Sequence, residues 1–480
     1  MYPNIPTFEQ QISAKMAAET TNTNAKILKD LISSHNTIEM MKGVRYYFNE
    51  NDIKSRKHYF WRDGQKVEDQ TKPNNKIPHG WHKLLVDQKV SYIVGKPVTF
   101  TGPDSFVKKV NEVLTEDFHD YMVELGLGAS NKGLEWLHPY IDEEGNFDMI
   151  VVPAEQVIPI YDTSKQKNLE AVIRYYPMSV NGQDAIRAEW WTKQDVTYYI
   201  AIGTGDYEPD TTEPVNPAPH FTYGDVGYGW GEVPFIEFAN NQFKVSDLTF
   251  YKELIDDYDR RVSDNSNNLE ELQALIYVLK GYEGQSLSEF MENLRYYKAI
   301  SLDADPGAGV DTLSAELPIQ SVNSHLDRLR ESIFTFGQGV DVSTDKFGSA
   351  PSGVALKFLF SLLDLKASML ERKFRKGLEW VIWFVAEYLS IKGEGQFNYK
   401  DIKFTFNKNI LMNDLEASQI AQNSTGIISE RTILANHPWV TNPEEEEKRK
   451  KEEREEKMTQ MQDPYPLPND QSGGTGAGSA

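Results

Sequence analysis

The stretch FGQGVDVSTDKFGSAPSGVALKF, residues 336–358, joins two strongly helical patterns. Upstream, Val322, Leu326, Leu329, Ile333 and Phe336 fall at steps of four and three, the spacing of one helix face. Downstream, Phe358, Leu362, Leu365 and Met369, then Leu378, Val381, Val385 and Leu389, keep helical spacing. With Ser352 as N-cap this predicts a helix over about 353–391, ~58 Å long, with Gly377 as a candidate bend. Gly337 and Gly339 are expected to end the first helix. The residues between are polar and glycine-rich, with one cation, Lys346, and one isolated aromatic, Phe347. On local sequence alone they read as a connector between antiparallel helices.

Working outward, SDLTFYKELIDDYDRRVSDNSNNLEELQAL (246–275) repeats apolar residues at steps of three and four behind an N-cap at Ser246 or Asp247. It predicts one helix of about 30 residues, ~45 Å long. The next 45 residues, 276–320, change character. LIYVLK is a strand, SLSE (286–289) a capping box opening a short helix, KAISL a strand, DADPGAG a turn and VDTLSAEL a strand. The helix at 321–338 then returns. Two helices thus carry a small α+β module at their far end.

The first 245 residues read as helices to about 50, turn-rich sequence with Asp63-Gly64 and Pro73-Asn74, a helix from Trp81 to Gly95, and further helices over 105–136. From 137 to 240 the period falls to two. FDMIVVP, LEAVIRYY, RAEWWTK and VTYYIAI predict an antiparallel sheet, and 203–232 a long surface loop. Past the long helix, DIKFTFNKNI is a strand and 413–440 is helical. In EEEEKRKKEEREEK four Glu precede four Lys or Arg by four residues, which supports an exposed helix. The glycine-rich end, taken from 458 to 480, is expected to be disordered. The class is α+β, mostly α.

Composition narrows the function. A net charge of −22 argues against wrapping nucleic acid by phosphate neutralisation. No cysteine is present, so disulfides, thiolate catalysis and cysteine metal sites are excluded. The N-terminus MYPNIPTFEQ lacks a basic region followed by an apolar run, and WVIWFVAEYLSI is too short to span a bilayer and carries Glu387, so neither signal peptide nor membrane span is expected. No phosphate-binding glycine loop occurs. His79 and His82 are close, but a turn and a helix start explain them better than zinc. Asp256-Asp257 and Glu270-Glu271 read as solvated helix faces. Neither a catalytic residue, a cofactor nor a metal is predicted.

Four stretches together resemble the portal proteins of long-tailed, double-stranded DNA bacteriophages infecting Gram-positive hosts. They are RYYFNENDIKSRKHYF, NNKIPHGWHKLLVDQKVSYIVGKPVTF, VPFIEFANNQFKVSDLTFYKELIDDYDRRVSDNSNNLEELQALIYVLKGYEG and GQGVDVSTDKFGSAPSGVALKF. They occur in the family's order and cover most of residues 40–390. The resemblance implies a homo-oligomeric ring, commonly of twelve copies, at one capsid vertex. Double-stranded DNA would pass its axial channel non-specifically during packaging and ejection. The implied parts are a wing (1–245 and 353–412), a stem (246–275 and 321–338), a clip (276–320) and a crown (413–457). Residues 339–352 would be the tunnel loop, with Val342, Lys346 and Phe347 toward DNA and Gly339 and Gly348 as pivots. Tyr282, Glu283, Asp303 and Asp305 would form the clip's docking surface. Implied partners are terminase, a head-completion or adaptor protein, and major capsid and scaffolding proteins. The implied location is the virion, after assembly in the host cytoplasm.

Charge agrees with a conduit. Residues 247–280 hold eight acidic and four basic residues, and 281–320 seven and two. An acidic wall repels phosphates, and weak grip suits sliding. Two other readings stand beside it: a scaffold-like assembly protein without a channel, and a nucleic-acid-processing enzyme of the packaging apparatus. The enzyme would need a phosphate loop and a metal-binding acid after a strand, and neither is evident.

Overall fold

The computed structural model describes residues 24–70, 72–164, 168–223, 226–271, 276–280, 286, 309–313, 319–341, 343, 353–408, 414–435, 437, 439–440 and 443–461. Helices α1 (Asn24–Ser34) and α2 (Ile38–Tyr47) lead to a hairpin of β1 (Tyr59–Arg62) and β2 (Gln65–Glu68). Then come α3 (Trp81–Val94), β3 (Thr99–Thr101), α4 (Asp104–Val113) and α5 (Asp117–Lys132). The strand-rich part holds β4 (Leu134–Ile141), β5 (Phe147–Val152), β6 (Val157–Tyr161), β7 (Leu169–Val180), β8 (Gln183–Trp191) and β9 (Asp195–Ile202). The short strands β10 (Glu208–Pro209), β11 (Ala218–Pro219), β12 (Phe221–Tyr223), β13 (Val226–Tyr228) and β14 (Ile236–Ala239) follow. A 3-10 turn at Asp247–Phe250 precedes α6 (Lys252–Glu271). Strands β15 (Ile276–Lys280) and β16 (Gly309–Leu313) pair antiparallel. Helices α7 (Ile319–Gly337) and α8 (Gly353–Ile391), strand β17 (Lys403–Thr405), and helices α9 (Asp414–Ser424), α10 (Glu430–Ala435) and α11 (Pro443–Met461) complete the chain.

The expected single sheet is two. A meander runs β10-β9-β8-β7-β6, with β11 also on β9, and a separate sheet runs β14-β4-β5. The pairings are antiparallel. Helix α1 covers the meander, burying Leu28 and Leu31 against Ile158, Ile173 and Tyr199. A second core, with Trp136, Val152, Val172, Trp191 and Phe235, draws on both sheets. The expected loop at 203–232 carries four short strands and is pinned by the buried Asp210, Phe221 and Trp230.

The helix predicted over 246–275 starts later. Ser246 does cap, accepting from Leu248 N, but it caps the 3-10 turn, and α6 begins at Lys252. Residues 272–275 lie outside the described residues. Helix α8 has the predicted bounds, and it continues through Gly377. That glycine serves packing: a Cβ there would lie 2.6 Å from the Phe238 ring. The capping box at 286–289, KAISL and DADPGAG fall outside the described residues, except for Ser286, which is exposed, and Gly309, which opens β16.

Helix α6 also organises an extended segment. Asp259, Ser263 and Asn267, spaced four apart, are all buried. They accept hydrogen bonds from the backbone N–H groups of His79 (3.0 Å), Ile77 (3.0 Å) and Asn75 (2.7 Å). Alternate residues of an extended chain thus meet successive turns of a helix, which satisfies donors that have no strand partner. The Asp256-Asp257 pair is not a solvated face. Asp256 accepts from Tyr46 Oη and Lys252, while Asp257 meets His325 of α7 at 3.1 Å and Arg261 at 3.3 Å.

Two compact units divide the chain: Met1–Lys346 with Phe360–Asn409, and Phe347–Leu359 with Ile410–Ala480. In the smaller one, Glu445–Arg449 and Glu447–Lys451 form the expected i,i+4 pairs of α11. Lys450 turns instead to Glu430 of α10. Residues 458–461, expected in the disordered tail, belong to α11, and 462–480 lie outside the described residues.

Candidate functional site

Helix α7 enters its last turns with Leu329, Ile333 and Phe334 buried. Ile333 and Phe334 share a core with Tyr46 of α2, Leu85 of α3, Leu248 and Tyr251 just before α6, and Ile255 within it. Past Gly337, Gln338 takes the left-handed conformation, φ 54°. Gly339 N donates to Phe334 O at 2.9 Å and Gln338 N to Thr335 O at 3.3 Å. This pair of bonds is the Schellman ending of a helix. The helix does end at Gly337, as expected, but the left-handed residue of the ending is Gln338 and neither glycine. The two glycines make room for α3. A Cβ at Gly337 would lie 2.5 Å from Leu85 Cδ1, and one at Gly339 2.2 Å from Leu85 Cδ2.

The next residues are held firmly. Val340 N donates to Gln88 Oε1 at 3.0 Å, and Gln88 Nε2 donates to Val340 O at 2.8 Å. One side-chain amide thus plays the part of a neighbouring strand. Asp341 accepts from Arg330 at 2.8 Å and from Ser343 N at 3.1 Å. Lys366 of α8 donates to Gly337 O at 2.9 Å, taking up a carbonyl at the helix end. Residues 337–341 are the fixed root of the loop. Of the predicted loop residues, Gly339 is part of that root. Val342, Lys346, Phe347 and Gly348 lie outside the described residues, as do Tyr282, Glu283, Asp303 and Asp305 of the predicted docking surface.

Beneath the root lies a charge cluster. Asp247 is buried. Its Oδ2 meets Lys89 Nζ at 2.6 Å and Lys366 Nζ at 3.0 Å, and its Oδ1 accepts from Asn240 Nδ2 at 2.9 Å. Lys89 also donates to Asn240 Oδ1 at 2.7 Å. Burial alone would push the Asp247 carboxyl up; Lys366, Lys89 and Asn240 outweigh it and hold it well below the usual carboxylate range. Burial draws the Lys89 ammonium down to about 8 against the pull of Asp247, so it stays cationic at neutral pH. His82 lies alongside, between Tyr251 Oη at 2.7 Å and Asn131 Oδ1 at 3.0 Å. Burial pulls its ring down to about 4, so it is neutral. The Asn131 oxygen can only accept, so Nε2 carries the proton and Nδ1 accepts from Tyr251. His79 belongs elsewhere, on Asp259 at 2.8 Å. Among the described residues no group of three or more His, Cys, Asp or Glu could hold a metal.

The sequence marks Asp247 only as an N-cap candidate, and it gives no sign of Gln88, Lys89 or Lys366. A lysine in a helix ordinarily reads as exposed, and nothing in the spacing marks these two as buried. For Asp247→Asn, the buried Lys89 and the part-buried Lys366 ammonium groups lose their counter-charge, and a loss of about 3–5 kcal/mol is expected. The carboxylate's contribution is fully present above its unfolded pKa, about 3.9, and is lost as pH falls through the lower folded value. Denaturant titrations should show the gap between wild type and variant narrowing below about pH 4. A gap that is absent at pH 7 would contradict the assignment.

A family model described as "Phage portal protein, SPP1 Gp6-like" matches residues 28–460. The chain is 42% identical over 442 residues to the portal protein of Bacillus phage SPP1, covering 91% of this chain and 87% of that one. It is 35% identical over 451 residues to the portal protein of Clostridium phage phiCD119, covering 89% of this chain and 95% of that one. The matched span contains both helices that meet at the loop root, the buried charge cluster and the small β15–β16 module. The chain belongs to the phage portal protein family.

Proposed function

We propose that this chain is the subunit of a portal ring at one vertex of a phage capsid. Double-stranded DNA passes through the ring's channel during packaging and ejection. The observation that carries this reading is the family match over residues 28–460. The finer parts of the proposal are twelve copies, a clip that docks terminase and then a head-completion or adaptor protein, and contacts with major capsid and scaffolding proteins. Its location is the virion vertex, after assembly in the host cytoplasm. The role is structural and not enzymatic. No described helix is long and apolar enough to cross a membrane.

In this reading α6 and α7 are the stem and β15–β16 is the base of the clip. The wing takes the two sheets with α1–α5, and α8 with β17. The crown is the helical part from 413. In such a ring, the parts of the α6 and α7 apolar stripes left open by the chain would face neighbouring copies. The wing-side ends of the stripes are occupied within the chain, where Ile255, Leu329 and Ile333 are buried. Helix α8 offers another face: Leu362, Leu365 and Met369, one stripe by spacing, are 39%, 57% and 55% exposed. Neighbouring copies would cover it, since contacts that close head to tail give a ring.

The preparation to examine is the purified full chain. Light scattering and electron micrographs should give a closed ring, with neither nucleotide hydrolysis nor nuclease activity. Leu365→Asp with Met369→Asp should reduce the assembly to smaller species of unchanged helicity. A wild-type monomer with ATPase or nuclease activity would favour the enzyme reading instead, and oligomers without a channel would favour a scaffold.

The loop beyond the root carries the DNA contact: Lys346 meets phosphate, and Val342 and Phe347 touch the duplex surface. Gly348 is the far pivot. Gly339, the near pivot, turns only when the Gln88–Val340 pair opens. Rings with Lys346→Ala and Phe347→Ala should assemble normally yet lose DNA packaging or retention. Full-length DNA packaged and retained at wild-type yield would reduce the segment to a connector.

A further inference from the structure

Among the described residues, nothing covers either face of the β1–β2 hairpin. All eight of its strand residues are exposed. Asp63 (φ 51°) and Gly64 (φ 76°) form the two-residue turn, both left-handed, as a type I′ hairpin requires. Tyr59 pairs with Glu68, Phe60 with Val67, Trp61 with Lys66 and Arg62 with Gln65. Residues opposite each other share a face, so Tyr59 and Trp61 lie on one side and Phe60 with Val67 on the other. Lys66 Nζ sits 4.3 Å over the Tyr59 ring. Trp61 is 73% exposed and Phe60 40%. A free two-stranded hairpin is at best marginally stable in water. One with aromatic residues on both faces calls for a partner.

Its root is not loose. Asp69 N donates to His58 O at 2.8 Å, and Lys57 pairs with Glu68 at 2.8 Å. Arg56 meets Asp264 of α6 at 2.5 Å, Asn74 bonds Arg56 O at 3.2 Å, and Asn75 reaches Asn267 and Glu270. The hairpin therefore springs from α6 at the level of Asp264 to Glu270.

We propose that this hairpin is an arm that docks on the stalk of the next copy in the ring; the proposal rests on the ring reading above. Cyclic symmetry places each element of the neighbour at the same height. At that height α6 exposes Leu269, 50% accessible, and the start of α7 exposes Ile319, 55% accessible. Charge agrees. Once Lys57 is paired with Glu68, the arm's tip holds Arg62 and Lys66 against Asp63, whereas α6 carries seven acidic and three basic residues. A basic aromatic arm thus faces an acidic stalk with two uncovered aliphatic side chains. The arm and its seat are different surfaces of one chain, as a head-to-tail contact needs.

The absence of cysteine allows a direct test. Trp61→Cys would be combined in turn with Leu269→Cys and Ile319→Cys in the full chain, and the protein oxidised. The expected result is a ladder of covalently linked chains from at least one pair and none from the single variants. Crosslinks confined within one chain, or none from either pair, would overturn the proposal. A second variant replaces residues 59–68 by Gly-Gly. Its rings should dissociate at a protein concentration at least tenfold higher than wild type, with helicity unchanged. Arm-less rings as durable as wild type would also overturn it while leaving the ring reading intact. A wild-type chain that is monomeric in the same assay would instead remove the ring reading itself.

Discussion

The Asp247 carboxylate is buried with an ammonium on either side, Lys89 from α3 and Lys366 from α8. One carboxylate does not neutralise two ammonium groups, so the remaining donors need acceptors. Asn240 Oδ1 takes one from Lys89, and Gly337 O takes one from Lys366. That second acceptor is the structural consequence that matters. It is a carbonyl at the end of α7, so the charge just before α6 also fixes the end of α7. Removing any member leaves a buried charge or a buried carbonyl without its partner, which is why such a network constrains geometry more than it adds stability.

Around this point the chain builds a rigid joint. Leu85 presses where a side chain at Gly337 or Gly339 would have to be, and one turn of helix below, His82 fills the space between Tyr251 and Asn131. Gln88, one turn on from Leu85, pairs with Val340 on both its N–H and its C=O. A single face of α3 thus serves the helix end, the loop root and the charge cluster. The DNA contact proposed for the loop would need such a base, because a contact is positioned only as well as the element that carries it. In the proposed ring, the acidic stalk and the uncovered stripe of α8 would be the complementary features: one would avoid gripping phosphate, the other would receive a neighbour.

Much of this was legible in the sequence. The bounds of α8 follow from its apolar period, and the strands of the meander from β-branched and aromatic runs between turns. Other features were not. Two sheets look like one because pairing is long-range: β14 returns to β4 across about a hundred residues. Ser246 has the chemistry of an N-cap, but tertiary contacts of Leu248 and Tyr251 close a 3-10 turn before the α-helix can start. Gly337 and Gly339 suggest backbone freedom, whereas the need is for space, and space depends on a helix 250 residues away. The hairpin is a different case. Asp63-Gly64 between YFWR and QKVE is a local signal of the strongest kind, and here it was read only as a turn. The buried Lys89 and the part-buried Lys366 could not be found, since their burial is set by where α3 and α8 meet and not by their own neighbours in sequence.

The central claim is that the loop grows from a rigid root held by the Asp247–Lys366–Gly337 chain of contacts and by Gln88. Native-state amide hydrogen exchange on the full chain measures this directly. The account predicts that the Gly339 and Val340 amides exchange as slowly as those of Leu329 and Ile333 in the body of α7, because opening them requires breaking the joint. Exchange of Gly339 and Val340 at the rate of an unstructured peptide, with Leu329 and Ile333 still protected, would contradict it.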